Sequence, residues 1–227
     1  MLPQTGRWVH LHAPVEHPTD RADDGARRAE RDSHPWYRDP VPIWLTEAEY
    51  NTLRAVCDAL IPPDGDSPGA GEAGSADYID TLLGAFSFDP PRIWAGGPTS
   101  GRAGGEACFG DFHHLSALDE LAWRTRIEGS QGLAAREFNG PVTGYQQRYH
   151  EGLGRLGEDF PQAAPDERVV RLKADPEFLE LVFGHVCEGM YGAPEYGGNH
   201  DTIGWRAIGF AGDVQPRGWT DQEVSAP

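Results

Sequence analysis

A chain of 227 residues with 38% hydrophobic and 24% charged side chains is long enough for one well-buried core and is globular in type. Its formal net charge of −17 argues against nucleic acid and anionic membrane as partners, because such binding rests on Lys and Arg neutralising phosphate. No window approaches the roughly 18 to 20 consecutive apolar residues of a bilayer span, and the three scattered cysteines, Cys57, Cys108 and Cys187, fit neither a disulfide framework nor a four-cysteine metal site.

Residues 1–40 are polar, without apolar period, and are expected to form an extended N-terminal arm that orders against another surface. They contain no apolar h-region, and Arg27-Arg28 is followed by Ala-Glu-Arg-Asp. Neither a secretory nor a twin-arginine signal is read there, so a cytoplasmic location is expected, with export only through a signal carried by a partner. The folded domain is expected over residues 43–220. Thr46-Glu47-Ala48-Glu49 is a capping box with Leu45 and Tyr50 as its hydrophobic staple. Tyr50, Leu53, Val56, Cys57, Leu60 and Ile61 then recur at helical spacing until Pro62-Pro63 forbids continuation.

Ser75 is expected to cap a second helix with Ile79, Leu82, Leu83 and Phe86 on one face. The Gly-rich stretch from Asp89 to Phe112 holds Trp94 and the arginines at 92 and 102, and it reads as an ordered, partner-facing loop. Ser116 and Asp119 open a third helix through Leu118, Leu121, Ala122 and Ile127, ending at Gly129. Tyr145, Tyr149, Leu153 and Leu156 mark a fourth helix, and residues 166–172 a short fifth. Asp175-Pro176 caps the last and most apolar helix, through Phe178, Leu179, Val182, Phe183, Val186, Cys187, Met190 and Tyr191 to Gly192. No alternating run of strand length stands out. The fold class is therefore all-α: an irregular bundle of five or six helices with long Gly/Pro-rich loops, which 29 Gly and 19 Pro supply.

The segment 188–210 differs from the helices before it. Glu188-Gly189-Met190-Tyr191-Gly192 is followed by Tyr196-Gly197-Gly198-Asn199 and then by Gly204-Trp205-Arg206-Ala207-Ile208-Gly209-Phe210. Glycines permit close backbone approach and Tyr and Trp offer rigid amphipathic area, so these residues suggest a shaped loop that packs on something. On composition alone, a loop packed only on its own domain is the competing reading. With Leu45-Thr46, the Leu-Ile-Pro-Pro ending of the first helix and the Ala73-Gly74-Ser75-Ala76 turn before Tyr78-Ile79-Asp80, this ordered string resembles the gluconate 2-dehydrogenase subunit 3 family over roughly residues 44–219.

The resemblance implies an accessory, non-catalytic subunit. It implies as partner a large subunit of the glucose-methanol-choline oxidoreductase type, which holds FAD and the substrate, often with a cytochrome c subunit. No cofactor is expected in this chain itself. Many relatives carry a twin-arginine signal, which is not read in this sequence, and the long insert from Asp89 to Gly132 sets it apart from shorter relatives, so the substrate need not be gluconate. The residues expected to meet the partner are Trp94, Tyr191, Tyr196, Gly197, Gly198, Asn199, Trp205 and Phe210, with a turn-stabilising role as the alternative for Asn199 and Asp201.

The competing class is an independent, metal-dependent enzyme of helical fold built from the histidines and acidic residues. Against it, His113-His114, His150, His185 and His200 match no strong ligand spacing, and no His-Glu-x-x-His occurs. There is also neither a Gly-x-Ser-x-Gly elbow nor a Gly-x-Gly-x-x-Gly following a strand.

Overall fold

The computed structural model describes residues 41–93, apart from 66, and 115–210. The expectations for residues 1–40, for the loop carrying Trp94 and Arg102, and for residues 211–220 lie outside the described residues. Within them the chain is all-α, with seven helices and five short 3-10 turns. The helices are α1 (Glu47–Leu60), α2 (Ser75–Leu83), α3 (Ala117–Glu128), α4 (Tyr145–Leu156), α5 (Pro165–Lys173), α6 (Pro176–Tyr191) and α7 (Ile203–Ala207). The expected five or six become seven because the five-residue α7 lies inside the Gly- and aromatic-rich segment, where no helical period shows.

Local chemistry sets the helix starts. The Thr46 hydroxyl accepts from the Glu49 amide at 3.3 Å while the Glu49 carboxylate accepts from the Thr46 amide at 2.9 Å, the reciprocal pairing of a capping box. Ser116 and Asp119 repeat it for α3 at 3.2 and 3.1 Å. Asp175 accepts from the Phe178 amide at 3.1 Å, ahead of Pro176. Ser75 is a correction: the cap of α2 is Gly74, in a left-handed conformation with φ 84°. Ser75 is the first helical residue, fully buried, and its hydroxyl donates to the Val186 carbonyl at 3.1 Å, so it ties α2 to α6 instead of capping.

The pair α2 and α6 packs more extensively than any other described pair, and α1 lies against α2, α4, α5 and α6. Between them Leu53, Val56, Ile79, Leu83, Tyr149, Phe160, Leu172, Val182, Val186 and Met190 are buried to 3% exposure or less. A smaller cluster of Ala85, Ile93 and Ile127 joins the end of α2 to α3. Leu118 does not take part: it is 74% exposed, and Ala122 is exposed as well. Ile127, near the end of α3, is its buried residue, while Leu118 and Ala122 on the earlier turns face outward. In α6, Phe178, Val182, Val186 and Met190 form the buried face, whereas Phe183 is 48% exposed.

One polar group organises the start of the domain. Asp80, 2% exposed, accepts from the backbone amides of Ile43, of Trp44 at 3.1 Å and of Leu45 at 2.8 Å. Three donors of an irregular segment are thus satisfied by one side chain, and the turn into α1 is fixed to α2.

A second buried polar pair lies between α4 and α6. The Tyr149 hydroxyl and His185 Nδ1 are 2.9 Å apart, with the two rings stacked and Tyr145 edge-on to the imidazole. Burial pushes His185 below its ordinary 6.5, with Glu188 opposing and Arg148 adding to the shift. A group whose pKa is depressed by folding stabilises the fold fully above its unfolded value and loses that contribution as pH falls through the folded one. Stability is therefore expected to fall as pH drops below about 6.5 through this group. Asp58 and Asp77, raised by burial, carry the opposite sign, so the measurement is the difference between wild type and His185→Gln in denaturation midpoints across pH 5 to 8. A pH-independent difference would contradict it.

Candidate functional site

The segment following α6 doubles back over the ends of α2 and α6, and its glycines are what allow it. A Cβ on Gly198 would stand 2.2 Å from the Gly189 carbonyl oxygen, and one on Gly204 would stand 1.9 Å from that of Met190. Neither position accepts a side chain without moving backbone. Asn199 closes the turn. It is fully buried in a left-handed conformation (φ 45°), its Nδ2 donates to the Gly192 carbonyl at 2.8 Å, and its Oδ1 accepts from the Gly204 amide at 2.8 Å. A single side chain thus links the exit of α6 to the start of α7.

Two of the next three residues also adopt left-handed backbone, Asp201 at φ 52° and Thr202 at φ 58°. For a β-branched residue this is a strained state, which persists only where surrounding bonds over-determine it. Those bonds are present. The His200 amide donates to the Ala73 carbonyl at 3.0 Å, and its imidazole Nε2 donates to the Gly197 carbonyl at 3.2 Å and lies 3.4 Å from an Asp77 carboxylate oxygen. The ring sits where a Cβ on Gly74 would be, 2.4 Å from the nearest ring atom, which is why the turn before α2 needs glycine. Asp77 also accepts from the Tyr50 hydroxyl. Burial raises its pKa, with Tyr50 and His200 pulling it back down.

On this locked frame the aromatic residues face outward to different degrees. The Trp205 indole donates to the Tyr191 carbonyl at 2.8 Å and meets Phe210 edge to face, with ring centroids 5.1 Å apart. Tyr191, Ile208 and Phe210 are 36%, 58% and 47% exposed. Tyr196 is half-buried and lines a cavity of about 320 Å³ together with Tyr78, Leu82, Ile93, Trp123 and Glu188. In its wall the Tyr78 hydroxyl donates to Glu188 at 2.7 Å; burial, then the Glu188 carboxylate, raises the Tyr78 pKa.

The residues expected at a partner surface are thereby divided. Tyr191, Trp205 and Phe210 come together on one surface, Tyr196 opens toward the neighbouring cavity, and Gly197 supplies the carbonyl that holds His200. Gly198 and Asn199 are enclosed and shape the loop. Trp94 lies outside the described residues. Ile208, exposed beside Phe210, was not singled out from the sequence, although its place between Trp205 and Phe210 in an outward-facing turn was the available signal.

Among the described residues the histidines do not converge. His150 meets Glu49 at 2.7 Å, His185 meets Tyr149, and His200 meets Asp77. Among the described residues no group of three or more His, Cys, Asp or Glu is placed to hold a metal ion, and no helix is long and apolar enough to cross a membrane.

Comparison with known proteins decides the family. The model of the gluconate 2-dehydrogenase subunit 3 family matches residues 47–212. The chain belongs to that family. No curated protein and no solved structure is significantly similar to it. As a member of this family the chain is an accessory subunit of a multi-subunit dehydrogenase. The matched region contains the whole segment after α6, so the Gly-Gly-Asn and Gly-Trp steps of the subunit are accounted for as the backbone contacts that fold that segment back.

Proposed function

We propose that this subunit binds and stabilises a larger FAD-dependent oxidoreductase of the glucose-methanol-choline type, acting on sugars or related alcohols, without itself performing the chemistry. FAD and substrate belong to the large subunit in this reading. The observation that carries it is the outward aromatic group of Tyr191, Trp205 and Phe210 on a segment whose backbone is fixed from within by Asn199 and His200. Aromatic side chains contribute large contact area for little lost rotamer freedom. A surface held rigid before binding also avoids the ordering cost that weakens flexible interfaces.

The tagged subunit is expected to co-purify with a large subunit carrying flavin absorbance, while the subunit alone is colourless and shows no dehydrogenase turnover. The large subunit prepared without it should inactivate several-fold faster on warming, because a ligand of the native state stabilises by mass action. Turnover by this chain alone, or a large subunit equally long-lived without it, would sink the proposal.

A further inference from the structure

Resting on that reading, we infer that the exposed side of α6 bearing Phe183, Cys187 and Tyr191 continues the docking surface and receives an apolar patch of the large subunit rimmed by Lys and Arg. Residues 183, 187 and 191 are spaced four apart and share a helix face. That face is distinct from the buried one formed by Phe178, Val182, Val186 and Met190. Phe183 is 48% exposed and Cys187 half-buried. At its C-terminal end the face runs into the loop surface, since the Tyr191 carbonyl is the acceptor of the Trp205 indole.

Gly184 adds a separate indication. A glycine in the middle of a helix weakens it, and the other glycine of α6 is explained internally, because a Cβ on Gly189 would lie 2.8 Å from Ser75 Cα. Among the described residues, no atom beyond its own helix turn comes within 4 Å of a Cβ placed on Gly184. Its bareness answers no need of the described fold and suits close approach by another backbone.

Charge selects the occupant. Glu180 and Glu188, both exposed, flank Gly184 four residues to either side, and the whole chain carries −17. A second copy would bring these acidic rows together, whereas a basic rim on the large subunit complements them.

The test uses the full chain and the flavin-bearing large subunit recovered with it, titrated at low and high salt. Gly184→Leu and Phe183→Ser are each expected to weaken binding by about tenfold or more, with the thermal midpoint of the free chain kept or raised for Gly184→Leu. Affinity should drop with salt, and alkylation of Cys187 should slow on complex formation. If both variants bind like wild type and Cys187 stays equally reactive, while Trp205→Ala weakens the complex, the α6 face is free and this inference falls with the loop surface intact. If the wild-type chain does not bind the large subunit, both readings fall. Self-association of the free chain abolished by Gly184→Leu would assign the face to a second copy and overturn the inference, and salt-independent affinity would remove the basic rim.

Discussion

Asn199→Ala is expected to lower stability by about 3 to 4 kcal/mol, near the top of the range for single substitutions. Three effects add in the same direction. The Gly192 carbonyl and the Gly204 amide each lose a 2.8 Å partner in an enclosed setting, and an unsatisfied buried group costs about 1 to 3 kcal/mol. The left-handed backbone at φ 45°, which asparagine tolerates, costs alanine about 1 kcal/mol more. Asn199→Asp separates the contributions: it keeps the acceptor for Gly204 but sets a carboxylate oxygen against the Gly192 carbonyl, so it should be damaging as well. Chemical denaturation measures the loss, and hydrogen exchange should show it centred on residues 192–210. A loss below roughly 1 kcal/mol would mean that the turn is held by its glycines and His200 without the asparagine.

Asp80→Ala is expected to cost about 3 to 5 kcal/mol, because three backbone amides lose their common acceptor and hydrogen bonds to charged groups contribute about 1.5 to 3 kcal/mol each without adding fully. Trp44 and Leu45 would be released together with Ile43, and Leu45, 5% exposed beside Tyr50, would lose its place at the start of α1. Asp80→Asn retains acceptor capacity on one oxygen and should fall between wild type and alanine. Equal stability of all three proteins would show that residues 43–45 are anchored by apolar packing alone.

These two side chains also show how far the sequence could be read. Both capping boxes and the Asp175-Pro176 start were legible because a cap is written within four residues. The core faces of α1 and α6 were legible in outline because burial follows the helical period. Asp80 was not: its partners lie 35 to 37 residues earlier, and an aspartate at mid-helix gives no sign of whether it faces water or a folded-back segment. Leu118 and Phe183 are apolar yet exposed, because apolar identity alone does not say which turns of a helix have a neighbour. Asn199 was readable as a turn residue, and its two bonds bear that out. The family was legible from the ordered Gly, Tyr and Trp steps, whose spacing is fixed by backbone contacts such as Gly204 against Met190. The exposed surface that those contacts present required coordinates.

The most direct test of the account is calorimetric titration of the large flavin-bearing subunit with this subunit, comparing wild type with the double variant Tyr191→Ala/Phe210→Ala. Both side chains are more than one-third exposed, so the free variant should melt like wild type while its affinity falls by about a hundredfold, the sum expected of two aromatic anchors at about 1.4 kcal/mol each. An unchanged affinity with unchanged folding would contradict the central claim and leave the segment 188–210 as a cap on its own bundle.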